Sequence, residues 1–297
     1  MTKKLAAEPA KRKRQSVKLK RVVHKAAALT SPQNVGYMPS MLVLTTLPHR
    51  KPKTLVHRRM NGDLTVEIVG HPQYGLPYGT YPRLILLYVC QQILIRKSAV
   101  VDVGDGLTDA MGNLGLAVTG GKKGTIAVLR RELDSLFFTS LTWTRRTRGL
   151  TNERRFFFFK RRETWAGRFD FPADREFPAD CQVEVDPLFH AELLKHPVPT
   201  DLTAVRTLAA LHGPFAIDLY LWLPYRLSRL EGPSEVLWGQ LREQFGAEYA
   251  EENDFRKAFL DGLQALAVYY PQARVEQYRG GLRLWPSAST IPPKSGG

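Results

Sequence analysis

The chain has 297 residues, 43% of them apolar, and a formal charge of +15. That length accommodates about two domains with ordinary cores. The two cysteines, Cys90 and Cys181, have no Cys-x-x-Cys spacing, which argues against a disulfide framework or a zinc site and fits a reducing cytoplasm. The longest apolar stretch, Leu84 to Ile95, is too short to span a bilayer and is interrupted by Gln91 and Gln92. The first residues lack the apolar segment of a signal peptide. The expectation is a cytoplasmic protein with no membrane partner.

The charge is unevenly spread. Residues 1–168 hold 31 Lys and Arg against 10 Asp and Glu, a surplus of 21 positive charges. Residues 169–297 hold 12 against 18, a deficit of 6. A basic block of that size fits a polyanion, because each phosphate contact releases counterions.

In chain order, residues 1–36 carry ten Lys and Arg against Glu8 alone. Such a segment repels itself and cannot bury itself. Residues 37–62 are basic, contain proline and show little pattern. Residues 1–62 are therefore assigned to a largely disordered arm. Leu64 to Val69 alternates as a strand does. Pro82 suits the first turn of a long apolar helix ending near Lys97. Val100 to Val103 is a short strand, and Asp105 to Leu114 a short helix. A glycine-rich turn, Gly115 to Gly124, leads into a helix over Lys123–Phe138. A hairpin follows from Leu141 to Arg162.

Residues 166–200 are rich in proline and acids and are expected to connect two domains, with one helix near Pro187–Lys195. A second block then repeats the order of the first. Helices are expected over Pro214–Leu230, Ser234–Phe245 with Ser234 as N-cap, and Asp254–Tyr269. A hairpin runs from Ala273 to Trp285, turning at Gly280-Gly281. Pro82-x-x-Ile85-x-Leu87-Tyr88 recurs as Pro214-x-x-Ile217-x-Leu219-Tyr220, and Leu129, Leu133 and Leu136 match Phe259, Leu263 and Leu266.

Helix, turn, helix and basic hairpin together predict a winged helix, so the expected fold is α+β with tandem winged-helix domains. The boundaries are an arm at 1–62, a first domain at 63–168, a linker at 169–199, a second domain at 200–286 and a loose tail at 287–297. In the first DNA-reading helix, Ile126, Leu129, Leu133, Leu136 and Phe137 form the core face. Gly124, Ala127, Val128, Arg131 and Ser135 form the opposite one. Lys122, Lys123 and Thr125 stand at its entrance, where a helix N-terminus favours phosphate. Arg131 suits a guanine edge, Val128 a thymine methyl, and Arg130 a phosphate. Arg145, Arg146, Arg148, Arg154 and Arg155 lie near the tip of the first wing, where arginines reach the minor groove or backbone. In the second block, Arg256, Lys257, Gln264 and Arg279 are the candidates, although Asp254 and Asp261 share that helix's outward face. Phe156 to Phe159 reads as a strand with at least one buried face, or as a stacking platform for single-stranded bases.

Residues for catalysis are not evident. The Gly115–Lys122 turn lacks the Gly-Lys-Ser/Thr ending of a phosphate loop, and the histidines form no His-x-His pair. No cofactor, metal site or enzymatic activity is expected.

Leu76-Pro-Tyr78-Gly-Thr-Tyr81-Pro-Arg83-Leu, the Thr119-Gly-Gly turn, and Ile217-Asp-Leu219-Tyr-Leu-Trp222-Leu-x-Tyr225-Arg226-Leu together resemble the plasmid-encoded RepA replication initiators. The resemblance covers about residues 74–165 and 200–286. It implies a protein that binds double-stranded origin DNA at direct repeats (iterons), opens an adjacent AT-rich segment and helps load the host helicase. It also implies contacts with host initiator proteins, and a homodimer that represses its own gene. A winged-helix transcriptional repressor is the alternative reading, and a DNA-nicking replication enzyme is a third.

Overall fold

In a computed structural model, the protein is described over residues 34–103, 109, 112, 119, 124–163, 181–246 and 249–291. The elements run β1 (Val35–Pro39), α1 (Ser40–Leu44), β2 (Val56–Asn61), β3 (Leu64–Val69), α2 (Thr80–Arg96), β4 (Val100–Asp102), α3 (Thr125–Phe138), β5 (Ser140–Thr147), β6 (Leu150–Phe157) and β7 (Phe159–Glu163). They continue with β8 (Gln182–Val185), α4 (Pro187–Lys195), β9 (Pro197–Asp201), α5 (Leu202–Leu211), α6 (Pro214–Leu227), β10 (Ser234–Leu237), α7 (Trp238–Phe245), α8 (Glu252–Leu266), β11 (Val275–Tyr278) and β12 (Gly281–Leu284). The result is a mixed α and β fold whose paired strands are all antiparallel.

Two helices carry the core. Along α2, Leu84, Ile85, Leu86, Leu87, Val89, Cys90 and Ile93 are all fully buried. A helix apolar around its whole circumference must be enclosed by other elements; β1, α3, β4 and α6 pack on it. Gly79 precedes it at φ 80°, a conformation that a side chain would strain. In the second half, α6 has the same central place. Trp222 of α6 meets Phe245 and Phe259 edge to face, at 5.4 and 6.2 Å between centroids. Such aromatic pairs add about 0.5–1.5 kcal/mol beyond the area they bury.

The sheets of the two halves differ. In the second, β10, from between α6 and α7, pairs with β12 of the closing hairpin, giving the order β10-β12-β11. In the first, the hairpin β5–β6 instead extends β2 and β3, in the order β2-β3-β5-β6. Strand β4, which occupies the place of β10 in chain order, pairs with β8 in a separate sheet, β4-β8-β7. The repeat is thus one of element order, and the strand pairing does not follow it.

Several sequence expectations change. Ser234 is not a helix cap. It opens β10, pairs with Leu284, and the helix begins four residues later. Ser234–Leu237 alternates half-buried and exposed positions, a strand pattern that its short length hid. Residues 34–62, grouped with the arm, are folded: β1 pairs with β9, and β2 pairs with β3. Residues 181–199 are more than a linker, because β8 completes one sheet and β9 joins β1. The helix expected near Pro187–Lys195 is present, capped by Asp186, whose side chain accepts from the Leu188 amide at 2.8 Å. Helix α5 was not anticipated. The arm over 1–33, the short helix expected over Asp105–Leu114, the glycine turn with Lys122 and Lys123, and the end of the tail lie outside the described residues, Asp109, Gly112 and Thr119 excepted.

One buried polar group joins the two halves. The Arg83 guanidinium on α2 grips Asp218 on α6, Nε to Oδ1 at 2.7 Å and Nη2 to Oδ2 at 2.6 Å. Its other bonds reach Leu47 O at 2.7 Å, Pro48 O at 3.2 Å and Gly79 O at 2.6 Å. All five guanidinium N–H groups therefore have acceptors. His49 Nε2 lies 2.8 Å from the same carboxylate. Burial alone would raise the Asp218 carboxyl, but Arg83 and His49 outweigh it and hold it below the usual carboxylate range.

Removing one partner strands a buried charge. Asp218→Ala is expected to lower unfolding free energy by about 3–5 kcal/mol in a urea titration. The folded Asp218 value is depressed, so its stabilising share is complete above about pH 4 and is lost as pH falls through the folded value. Asp218→Asn is accordingly expected to flatten the acid limb of stability against pH, measured by urea midpoints across that range.

Candidate nucleic-acid interface

Helix α3 packs its Leu129, Leu133 and Leu136 into the core, as its 3.6-residue periodicity predicts. Its outward face is narrower than expected. Gly124 is buried, and Ser135 is 1% exposed, so neither reaches a ligand. Thr125 stands at the helix entrance, where its amide donates to Thr119 Oγ1 at 3.1 Å. Val128 and Arg130 are half-buried, and Arg131 is exposed.

Arg131 is exposed and yet held. Its Nε and Nη2 donate to Glu132 Oε1 at 3.0 and 2.6 Å, and its guanidinium carbon lies 5.3 Å from the Tyr78 ring centroid. Glu132 is buried on the core side of α3 and also accepts from the Tyr78 amide at 3.3 Å. Burial pushes the Glu132 carboxyl up, and its bonds to Arg131 and the Tyr78 amide only partly oppose this. The helical pattern held a sign of Glu132: it follows Leu129 by three positions, on the face assigned to the core.

The hairpin β5–β6 turns at Arg148-Gly149, with Gly149 at φ 76°. Arg145, Arg146, Arg148, Arg154 and Arg155 are all exposed. Strand alternation divides them. Arg154 pairs across from Trp143, and Arg145 lies two residues along on the same face. Both guanidiniums stand against the indole, at 5.1 Å for Arg145 and 5.6 Å for Arg154. Arg146 and Arg155 occupy the other face. Arg145 also lies 3.6 Å from Asp63. Trp143, Asp63, Tyr78 and Glu132 are the members of this region that sequence reasoning did not pick out.

The phenylalanine run is mainly core. Phe156, Phe158 and Phe159 are buried, and Phe157 is 42% exposed, so the run offers one ring to solvent and no stacking platform.

The candidates of the second half are more dispersed. Arg256 pairs with Glu252 and lies 5.5 Å from the Trp238 ring centroid. Lys257, Gln264 and Arg279 are exposed. Gln264 borders an apolar groove of about 270 Å³ with Leu260, Leu263 and Tyr270. Arg283 on β12 is paired with Glu235 at 2.8 Å.

A family described as plasmid encoded RepA protein matches residues 76–237. The chain belongs to that family. Membership supports a replication-initiator role. No curated protein matches the chain significantly. Among solved structures, the chain is similar to domains 2 and 3 of RctB, with a TM-score of 0.52 and 13% identity. That match covers 83% of this chain and 97% of the other. At such identity the likeness concerns the fold alone. Among the described residues, no helix is long and apolar enough to cross a membrane.

The arginine–indole contacts have a measurable size. Exposed cation–π pairs are worth about 0.5–1 kcal/mol each. In a double-mutant cycle of Arg145→Ala and Trp143→Leu, followed by urea unfolding, a coupling energy in that range is expected. Additive effects would show that ring and guanidinium are merely neighbours.

Proposed function

We propose that this RepA-family chain initiates plasmid replication by binding repeated sequences in origin DNA, with each half acting as a winged-helix unit. The observation that carries the reading is the pairing of α3, with Arg131 exposed on it, and the adjoining hairpin, with arginines on both faces. Both belong to the half that holds the positive surplus. In this reading Arg131 and Val128 meet base edges, while Thr125, Lys122, Lys123 and Arg130 meet phosphates at the helix entrance and flank. The hairpin arginines add affinity through the backbone or minor groove. Arg256, Lys257, Gln264 and Arg279 are the corresponding candidates in the second unit.

Binding several copies along the repeats would offset the cost of opening a nearby AT-rich segment, and host helicase and initiator proteins would then be recruited. The protein itself catalyses no reaction in this scheme. A homodimer acting on the chain's own promoter would account for autorepression.

Footprinting on the DNA flanking the gene tests the scheme. Protection of direct repeats, with contacts of one monomer about 10 base pairs apart on one face of the duplex, is expected. One short half-site per monomer would reject the two-unit mode, and a single palindrome over a promoter would favour the repressor. Replacing Arg154 and Arg155 with alanine is expected to lower affinity for all duplexes and to reduce the slope of log affinity against log salt by about 1.8.

A further inference from the structure

An exposed arginine on a DNA-reading helix usually explores many rotamers and must be ordered on binding. Arg131 already has partners that hold it. Its side chain is 52% exposed, and the Glu132 carboxylate that holds it is 1% exposed. One oxygen of that carboxylate takes Nε–H and one Nη2–H, while the other takes the Tyr78 amide, fixing the carboxylate itself. The Tyr78 ring supports the guanidinium as well. Guanidinium has five N–H donors in a rigid plane. Two are spent on Glu132, both on one edge. The opposite edge keeps an Nη1–H and an Nη2–H, two parallel donors spaced for two acceptors side by side.

We propose that Glu132 and Tyr78 are positioning residues that hold Arg131 as a fixed two-donor fork, and that the fork reads a guanine through its O6 and N7. The inference rests on the DNA-binding reading above. It adds the edge of the arginine that faces the guanine and the two residues that aim it. Among the major-groove base edges, guanine alone offers two adjacent acceptors. Adenine replaces one with a donor, which the fork opposes. Lysine at 131 would keep the charge and lose the fork. Glu132 suits its task because it is inaccessible: a carboxylate in solvent would divide its bonds with water and would repel phosphate, whereas this one faces the core and spends its charge on Arg131.

The test uses the full chain and duplexes selected by it from a randomised library. Affinity is measured for the selected duplex and for copies in which each guanine in turn is replaced by 7-deazaguanine, which lacks the N7 acceptor. Wild type is expected to lose about tenfold at one position. Arg131→Ala is expected to abolish that sensitivity. Glu132→Gln and Tyr78→Leu are expected to reduce it below about threefold, while Tyr78→Phe, which keeps the ring, retains it. The salt slope and affinity for an unrelated duplex should be equal in all of these variants except Arg131→Ala, because they report phosphate contacts. A purely structural role for Glu132 would instead lower all affinities together.

Full 7-deazaguanine sensitivity in both Glu132→Gln and Tyr78→Leu, with loss in Arg131→Ala, would overturn the positioning role and leave the initiator reading intact. Specific binding by wild type with no position sensitive to 7-deazaguanine would overturn the fork itself. Failure of wild type to select any duplex would overturn the DNA-binding reading and this inference with it. If Glu132→Gln does not fold, the contrast between Tyr78→Leu and Tyr78→Phe decides the positioning role alone.

Discussion

The arrangement depends on a buried ion pair that crosses between its halves. Arg83 and Asp218 are 2% and 4% exposed, and at that depth two charges are tolerated only if their attraction and hydrogen bonds offset several kcal/mol of lost hydration per ion. Here the offset is complete on the arginine side, because each of its N–H groups meets a carboxylate or a carbonyl. The carbonyls of Leu47 and Pro48 come from the segment between α1 and β2, so the pair also ties that segment to both central helices. An apolar pair would bury as well and would let α2 slide against α6. A bidentate pair fixes distance and rotation together. Helix α3 packs on α2 and α8 packs on α6, so the relative placement of the two expected DNA-reading helices passes through this contact.

Two of the three segments on which the family resemblance rests, Leu76–Leu84 and Ile217–Leu227, hold Arg83 and Asp218. Neither residue looked functional in the sequence: one arginine in a basic half and one aspartate within an apolar helix. The apolar run around Asp218 was the available sign, since a carboxylate surrounded by Ile217, Leu219 and Leu221 must find a cation or remain protonated. Which cation it finds lies 135 residues away in the chain, and no local pattern encodes that.

The same division between local and distant information runs through the fold. Helices α2, α6 and α4 were legible because apolar runs and, for α2, Pro82 in the first turn are local signals. Strand β3 and the hairpins were legible from alternation and glycine. Strands β1, β8, β9 and β10 were not, because each exists through a partner distant in the chain, which the sequence does not name. At the candidate interface the arginines were visible as charges. Their division between hairpin faces needed the register, since Arg154 meets Trp143 only once β5 and β6 are aligned. Glu132 was the hardest to see, as its partner Tyr78 approaches from the loop before α2.

The register also gives the charge asymmetry a physical meaning. In the second half, Arg256 is neutralised by Glu252, and Arg283 by Glu235. In the first hairpin, Arg146, Arg148, Arg154 and Arg155 have no carboxylate partner among the described residues. Their field extends into solvent instead of closing on the protein, limited only by the roughly 8 Å screening length of physiological salt. Two units alike in element order are thus unlike in electrostatics.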